Sequence, residues 1–358
     1  MDKCALVLCS KRGFGGAERR FLRIYNSIAK RKQGVCVIFQ SSPQIDTFSL
    51  LRQMQIDTAS FSSIQCCNTR RDVVRECLFG GYYSLHLIDA SLLWVLLAIL
   101  AKIRHIHVVN TIADFALACR TVPIKFRFFS AVLWRFSNRV DLLYPQCRSI
   151  VERYCNKGSL TCTPGTFTDL QLFQPASKQK ILLFSAARLD KWKNPGLMVE
   201  AISLIADKVR QAGYKAVITG RDYQEQELRA RIREKSLEDI IHMPGYVSPQ
   251  DYVPQAEVIL SLNLLCCYPS QVVAEAVACG CVVITKYFPD EPKNFLNNTF
   301  ALFCDMTPES LSQKILEYFE IPESKKQEMR CAARIHAEKF FHINKSVDYF
   351  EKILDSLR

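Results

Sequence analysis

Hydrophobic and polar positions divide the chain into two kinds of segment that alternate along its length. Short continuous apolar runs, such as residues 4–9, are typical of strands buried on both faces of a sheet. Between them lie segments with helical spacing, such as residues 17–32, in which four apolar side chains share one face. Strands that alternate with helices predict parallel sheets with right-handed crossovers.

This alternation restarts in the middle of the chain, which predicts two domains. A stretch with prolines and a glycine, near residues 164–175, separates the two series. We predict an N-terminal domain over residues 1–172, a C-terminal domain over 173–340 and a last helix over 341–358 that packs back towards the N-terminal domain. The predicted fold class is α/β, with two Rossmann-like, doubly wound domains.

The net charge of +12 lies entirely in the first half of the chain. Residues 1–175 hold 23 Lys and Arg against 11 Asp and Glu, whereas residues 176–358 hold 24 of each. Of the 358 residues 49% are hydrophobic and 23% charged, which excludes a disordered or fibrous protein. The basic half predicts an anionic partner, and a basic surface that serves only solubility is the alternative.

The 16 cysteines are predicted to be reduced thiols. The apolar run of residues 4–9 is too short for the core of a secretory segment, so we expect none, and no pair with two-residue spacing recurs as zinc sites require. The longest apolar run, residues 92–101, is ended by Lys102 and is too short to span a bilayer. We therefore expect a cytoplasmic protein with no metal site and no transmembrane helix.

Glycines follow the first predicted strand and open the first predicted helix. Gly13, Gly15 and Gly16 can bring backbone N–H groups and a helix N-terminus towards a phosphate. Their spacing is not that of the dinucleotide fingerprint, and the next strand does not end in an acidic residue. A tight turn without a ligand is the alternative.

Charged residues follow predicted strands of the second half. Arg188, Lys191 and Lys193 come after the first of these strands, where ligands of open α/β sheets bind, and they suit a diphosphate. A solvated loop is the alternative. Glu275 lies among apolar neighbours of a predicted helix, where its carboxylate can accept two vicinal hydroxyls, as on ribose. An exposed helix glutamate is the alternative there.

Taken in order, these segments resemble family 4 glycosyltransferases, which have the GT-B fold of two Rossmann-like domains facing a central cleft. The resemblance lies in short segments spread over nearly the whole chain: 15–19 (GGAER), 167–173, 187–189 (ARL) with 193–194 (KN), 218–220, 244–247 (PGYV), 275–280 (EAVACG) and 282–283. Each segment is weak alone, and their common order is what makes the resemblance specific.

The resemblance implies transfer of a sugar from a nucleotide-diphosphate sugar, with retention of configuration and without a metal or other cofactor. Arg188 and Lys193 would hold the diphosphate and stabilise its charge as it leaves. Glu275 would hold the ribose, and the backbone near Tyr246 would meet the base.

The turns and the acceptor side follow from the same resemblance. Gly15 and Gly16 would approach the diphosphate, and Gly220 belongs to the turn on the nucleotide side. The family's first glutamate and its histidine are replaced by Cys267 and Ala113. The sugar would then need other groups, for which the sequence offers these candidates: Asn263, Tyr268, Ser270 and the candidate catalytic residue Asp114.

Aromatic and basic residues are interleaved over residues 125–139. This pattern is typical of an interfacial helix on anionic lipid, and a core helix with snorkelling cations is the alternative. The cations are dispersed and match no nucleic-acid motif, so no nucleic-acid partner is predicted.

The predicted function is a glycosyltransferase of cell-surface polysaccharide synthesis that acts on a glycan or lipid-linked acceptor. It would be cytoplasmic and peripheral on the inner membrane face. One alternative is a catalytically silent GT-B subunit of a glycan-assembly pathway, motivated by Cys267 and Ala113. Another is a sugar phosphorylase or epimerase, which the glycine-poor turn disfavours.

Overall fold

The chain folds into two compact α/β units in a computed structural model. The described residues are 3–9, 14–42, 44, 46–221, 224–266, 268, 270–289, 291–292 and 295–358, with only the backbone of residue 187. The first unit runs to Gly165 and is completed by Asn344–Arg358, and the second unit is Thr166–Ile343. The division after Gly165 lies earlier than the predicted boundary at 172–173.

The first unit contains a sheet of seven parallel strands. They are β1 (Lys3–Cys9), β2 (Val35–Gln40), β3 (Ser63–Cys67), β4 (Tyr82–Ile88), β5 (His107–Ile112), β6 (Arg139–Leu142) and β7 (Leu160–Cys162). Their order is β3-β2-β1-β4-β5-β6-β7, so the direction of winding reverses between β1 and β4. The helices of this unit are α1 (Gly16–Ala29), α2 (Thr47–Gln53), α3 (Arg70–Phe79), α4 (Leu92–Ile103), α5 (Phe115–Ala118), α6 (Ile124–Phe136), α7 (Arg148–Val151) and, from the end of the chain, α15 (Asn344–Asp355).

The second unit contains a sheet of six parallel strands. They are β8 (Gln179–Arg188), β9 (Lys215–Arg221), β10 (Ile241–Gly245), β11 (Ala256–Ser261), β12 (Val282–Thr285) and β13 (Ala301–Phe303). Their order is β10-β9-β8-β11-β12-β13, with the reversal between β8 and β11. The remaining helices are α8 (Pro195–Leu204), α9 (Ala206–Ala212), α10 (Glu225–Glu234), α11 (Pro249–Tyr252), α12 (Gln271–Ala278), α13 (Pro308–Glu320) and α14 (Glu323–Phe340).

The apolar runs of the sequence become the central strands. Every residue of β2 and of β11 is buried, as expected for strands covered on both faces by helices. The edge strand β3 has only one buried residue, and its sequence accordingly shows no continuous apolar run. Two doubly wound parallel sheets are what the alternation of strands and helices predicts.

A buried polar chain attaches α15 to the sheet of the first unit. The Tyr349 hydroxyl donates to Asp141 Oδ1 at 2.5 Å, and the Thr111 hydroxyl donates to Asp141 Oδ2 at 3.3 Å. His86 lies between Thr111 and Tyr25, with Nε2 2.7 Å from Thr111 Oγ1 and Nδ1 2.8 Å from the Tyr25 hydroxyl. Burial raises the pKa of Asp141 to about 6 and lowers the pKa of His86 to about 3. The C-terminal helix is thus an integral part of the first unit.

The aromatic residues of α6 divide into two sets. Trp134 is fully buried, with the Arg120 guanidinium 5.7 Å from its ring, so it is a core residue. Phe126 and Phe128, by contrast, are 38% and 65% exposed. The exposed apolar side chains are therefore confined to the first part of the segment predicted as interfacial. In the described parts of the chain, no helix combines the length and the apolar character needed to span a bilayer.

Candidate active site

The carboxyl end of β8 is the switch point of the second sheet. The winding reverses beside it: from β8 the chain continues outwards through β9 to β10, and on the other side of β8 it continues outwards from β11 through β12 to β13. Ligands of open α/β sheets bind at such a point. Arg188 is the last residue of β8, is exposed, and pairs in register with Arg221 of β9. The predicted diphosphate residue therefore lies at the predicted place in the sheet.

Gly220 allows β9 to pass close to the end of β8. Its φ is +132°, and a Cβ atom there would lie 2.6 Å from the Ala186 carbonyl oxygen and 3.0 Å from Leu189 Cδ2. Both the backbone conformation and the close approach demand glycine. The Leu189 N–H donates to the Arg221 carbonyl at 2.9 Å just beyond it.

The loop between β8 and α8 is fixed by one carboxylate. Asp190 Oδ1 accepts the N–H groups of Trp192 at 3.1 Å and Lys193 at 3.2 Å. The Trp192 carbonyl accepts the Leu264 N–H at 3.0 Å, which joins this loop to the one that follows β11. The loop that carries Lys193 is thus held against a second loop at the same edge of the sheet.

Arg188 and Lys193 have no oppositely charged partner in the part of the chain that the structure describes. Within the described residues, neither side chain has a hydrogen bond or an ion pair. Two free cations at a switch point are available to bind an anion such as a diphosphate, because no carboxylate of the described residues neutralises them.

The helix α12 begins at the same edge and carries the predicted ribose residue. Glu275 is 0% exposed, so it is a buried carboxyl rather than an exposed helix residue. The Ser270 hydroxyl accepts the Val273 N–H at 3.4 Å and so caps α12. Tyr246 follows β10, is exposed, and has the Arg221 guanidinium 4.9 Å from its ring.

The predicted glycine loop is described only in part. Gly15 precedes α1 and donates its N–H to Glu18 Oε2 at 2.9 Å, whereas Gly16 is the first residue of the helix. A Cβ atom on Gly16 would meet nothing within 4 Å. Gly13 and Cys267 lie outside the described residues, so what the sequence indicates for them stays a prediction.

Asp114 follows β5 and caps the next helix. Its Oδ1 accepts the N–H groups of Ala116 at 2.8 Å and Leu117 at 3.4 Å. This is the geometry of a helix N-cap, a structural role that requires no catalysis. A catalytic role for Asp114 stays a prediction.

Asp89 is a carboxylate that the sequence interpretation overlooked. It follows β4 with a φ of +56°, and its Oδ1 accepts the N–H groups of Ala113 and Asp114, both at 2.7 Å. Burial and the nearby Asp114 carboxylate raise the pKa of Asp89 to about 7. Its position at the carboxyl end of a predicted strand is the sequence signal that could have identified Asp89. Asp89 organises the loop in which Ala113 replaces the family's histidine.

Glu291 is a second overlooked carboxylate. It follows β12, and its Oε1 accepts the Cys266 thiol at 3.7 Å, next to the position where the family has its first glutamate. Burial raises the pKa of Glu291 to about 7, and among the described residues no cation pairs with it. Positions 266 and 291 are brought together only by the fold, so no sequence signal could have identified the pair.

Parts of the chain are similar to known glycosyltransferases. Residues 168–336 match the family model "Glycosyl transferases group 1". GalNAc-alpha-(1->4)-GalNAc-alpha-(1->3)-diNAcBac-PP-undecaprenol alpha-1,4-N-acetyl-D-galactosaminyltransferase of Campylobacter jejuni is 32% identical over 111 residues, 28% of this chain and 30% of the relative. N-acetylgalactosamine-N,N'-diacetylbacillosaminyl-diphospho-undecaprenol 4-alpha-N-acetylgalactosaminyltransferase of the same organism is 25% identical over 181 residues, 50% of this chain and 48% of the relative. The chain thus spans from about a third to about half the length of these curated relatives.

The fold has a solved counterpart over nearly its whole length. HepE of Anabaena, in complex with UDP and glucose, matches with a TM-score of 0.77 and 15% identity, covering 98% of this chain and 99% of HepE. The predicted fold of two parallel-sheet α/β domains, as in GT-B proteins, is confirmed. Over residues 168–336 the resemblance to glycosyltransferases found in the sequence is also confirmed, because this part of the chain matches the glycosyl transferases of group 1.

Proposed function

We propose that this protein is a glycosyltransferase that moves a sugar from a nucleotide-diphosphate sugar to a glycan or lipid-linked acceptor. The observation that carries the proposal is a pair of cations, Arg188 and Lys193, at the switch point of the second sheet; neither has a carboxylate partner among the described residues. HepE was solved with UDP and glucose, and the Campylobacter relatives are named for undecaprenol-linked acceptors. These names support a nucleotide-sugar donor and a lipid-linked acceptor for this protein. We propose that the reaction belongs to cell-surface polysaccharide synthesis.

The residues of the second unit suit departure of a nucleoside diphosphate. Arg188 and Lys193 would stabilise the negative charge that develops on the leaving oxygen, which lets the reaction proceed without a metal. Glu275 would hold the ribose, and Tyr246 would lie by the base. If the nucleoside diphosphate leaves and the acceptor hydroxyl attacks on the same face of the sugar, the configuration of the sugar is retained.

Glu291 would contact the transferred sugar. In the family pattern a glutamate at the position of Cys267 contacts the sugar ring, and Glu291 reaches the neighbouring Cys266 from another segment. A carboxylate from the loop after β12 would then accept the sugar hydroxyls. The enzyme would keep a sugar contact although the usual glutamate is absent.

Thermal stability with nucleotide sugars tests the proposed function. UDP and a panel of donors that includes UDP-glucose and UDP-N-acetylgalactosamine should raise the melting temperature, because a ligand that binds only the folded state stabilises it. The gain is about 2.7 kcal/mol at a hundredfold excess over Kd. If no nucleotide stabilises the protein, the proposal fails. Stabilisation without hydrolysis or transfer of any donor would favour the catalytically silent subunit.

We further propose that the first unit binds an anionic membrane surface at the cytoplasmic face of the inner membrane. Ile124 and Phe128 are exposed on α6, and Leu92 is exposed on α4, which packs against α6. Lys125 and Arg127 are exposed between the apolar residues of α6. Apolar side chains interleaved with cations suit insertion among anionic headgroups.

Sedimentation with vesicles tests the membrane surface. The protein should sediment with phosphatidylglycerol-containing vesicles at low salt and be partly released as salt rises, because screening weakens the attraction. The double variant Ile124→Ser/Phe128→Ser should bind more weakly at every salt concentration. Leu204→Ser/Ile335→Ser, which changes two exposed apolar residues of the second unit, is the matched control. Equal binding by both variants would contradict the proposal.

A further inference from the structure

A basic cavity of about 270 Å³ lies at the amino edge of the first unit's sheet. It opens beside Arg139, the first residue of β6, and therefore on the edge opposite to the carboxyl ends that carry Asp89 and Asp114. Four of its lining side chains are cationic: Lys102, Arg135, Arg139 and Lys157. Among the described residues that line the cavity, none is acidic.

These cations have no carboxylate partner in the described parts of the chain. Arg139 Nη1 donates to the Gly158 carbonyl at 3.3 Å, and Lys102 Nζ lies 5.4 Å from the centre of the Phe136 ring. Arg135 and Lys157 are exposed, and no described residue makes a hydrogen bond or ion pair with their side chains. Four like charges around one cavity repel one another, and an anion inside would relieve that repulsion.

Helix ends account for only part of this charge. Lys102 and Arg135 belong to the last turns of α4 and α6, where a cation complements the negative end of the helix dipole. Arg139 begins a strand and Lys157 lies in the turn before β7, so neither has that explanation. The cavity therefore holds more positive charge than the helices require.

The size and surroundings of the cavity limit the ligand. Its volume is below the ~300–1,000 Å³ of pockets for drug-sized molecules, so it suits a small anion rather than a nucleotide sugar. Ile103, beside Lys102 at the end of α4, is 69% exposed. An exposed apolar side chain next to a basic cavity suits a phospholipid, whose headgroup is anionic and whose tails are apolar.

We propose that this cavity binds a phosphate group, supplied by the headgroup of an anionic lipid or by a soluble phosphate compound. The guanidinium groups of Arg135 and Arg139 would donate to phosphate oxygens, and Lys102 and Lys157 would add point charges. This site is separate from the donor site at β8 and does not depend on glycosyl transfer.

Two binding assays on one set of variants test the proposal. All proteins carry Arg188→Ala/Lys193→Ala, so that phosphate binding at the donor site is weakened to the same extent in every one of them. The cavity variant adds Arg135→Ala/Lys157→Ala, and the control adds Arg71→Ala/Lys345→Ala, two exposed cations elsewhere in the first unit. Both have the same net charge. The probes are inorganic pyrophosphate by calorimetry and phosphatidylglycerol vesicles by sedimentation.

We expect the cavity variant to lose about tenfold or more in affinity and the control to keep most of its affinity. A selective loss with vesicles alone identifies a lipid headgroup, a selective loss with pyrophosphate alone identifies a soluble phosphate, and either supports the cavity. Equal behaviour of cavity and control variants in both assays overturns the proposal. The proposal is also overturned if the protein that carries only Arg188→Ala/Lys193→Ala binds neither pyrophosphate nor the vesicles. Circular dichroism on each variant verifies that a loss does not come from unfolding.

Discussion

Replacing Arg188 or Lys193 by alanine is expected to weaken UDP binding about tenfold to hundredfold while the protein remains folded. Each side chain is free of partners within the described residues and would make a charge-assisted hydrogen bond to the diphosphate, worth ~1.5–3 kcal/mol. Turnover should fall at least as much, because the charge on the leaving oxygen is larger in the transition state than in the bound donor. Calorimetry with UDP and steady-state kinetics measure the two effects.

A matched cation separates this effect from net charge. Arg233→Ala removes an exposed arginine at the end of α10, which has no hydrogen-bond or ion-pair partner among the described residues, and should leave UDP affinity unchanged. Because Arg188 and Lys193 would bind one diphosphate, the double variant should lose more affinity than either single variant. Wild-type affinity in both single variants would remove these residues from the donor site. Equal losses in the control would show that only the overall charge matters.

The sheets could be predicted from the sequence because parallel strands are buried on both faces. Residues 4–9 and 258–260 are continuous apolar runs and lie in the central strands β1 and β11. β3, at an edge, lacks such a run and was not predicted. Burial of Glu275 also followed from its apolar neighbours, since a helix with apolar residues around its whole circumference has no solvent-facing side.

Residues that depend on distant contacts could not be predicted in the same way. Trp134 reads as part of an interfacial helix, yet it packs in the core of the first unit, because spacing alone cannot tell which side of α6 faces the sheet. The basic cavity joins positions 102, 135, 139 and 157, which no motif connects. The role of Asp89 in holding the Ala113 and Asp114 amides appears only once β4 and β5 are adjacent.

Glu291→Gln is expected to leave UDP binding unchanged and to weaken binding of a UDP-sugar about tenfold to hundredfold. The carboxylate of Glu291 would accept sugar hydroxyls, and hydrogen bonds to a charged group are worth ~1.5–3 kcal/mol. Glutamine keeps the shape but replaces one acceptor by a donor. Calorimetry with UDP, UDP-glucose and UDP-N-acetylgalactosamine measures the contribution of the sugar directly. Glu238→Gln, in the turn that enters β10, is the control and should change neither affinity.

The pH dependence of UDP-sugar binding provides an independent test of Glu291. Burial raises the pKa of this carboxyl to about 7, so it is ionised above that pH and becomes protonated as the pH falls through it. The ionised form accepts hydroxyls at both oxygens, whereas the protonated form must donate at one of them. The affinity of the wild type relative to Glu291→Gln should therefore be largest at pH 8 and shrink towards pH 6. Two results would contradict a sugar contact: a ratio of wild-type to variant affinity that stays constant over this pH range, or a Glu291→Gln variant that loses as much affinity for UDP as for UDP-sugars. Either would show that Glu291 only maintains the structure of its loop. Neither result would contradict the proposed donor site at Arg188 and Lys193, because that site is tested separately by the binding of UDP without a sugar.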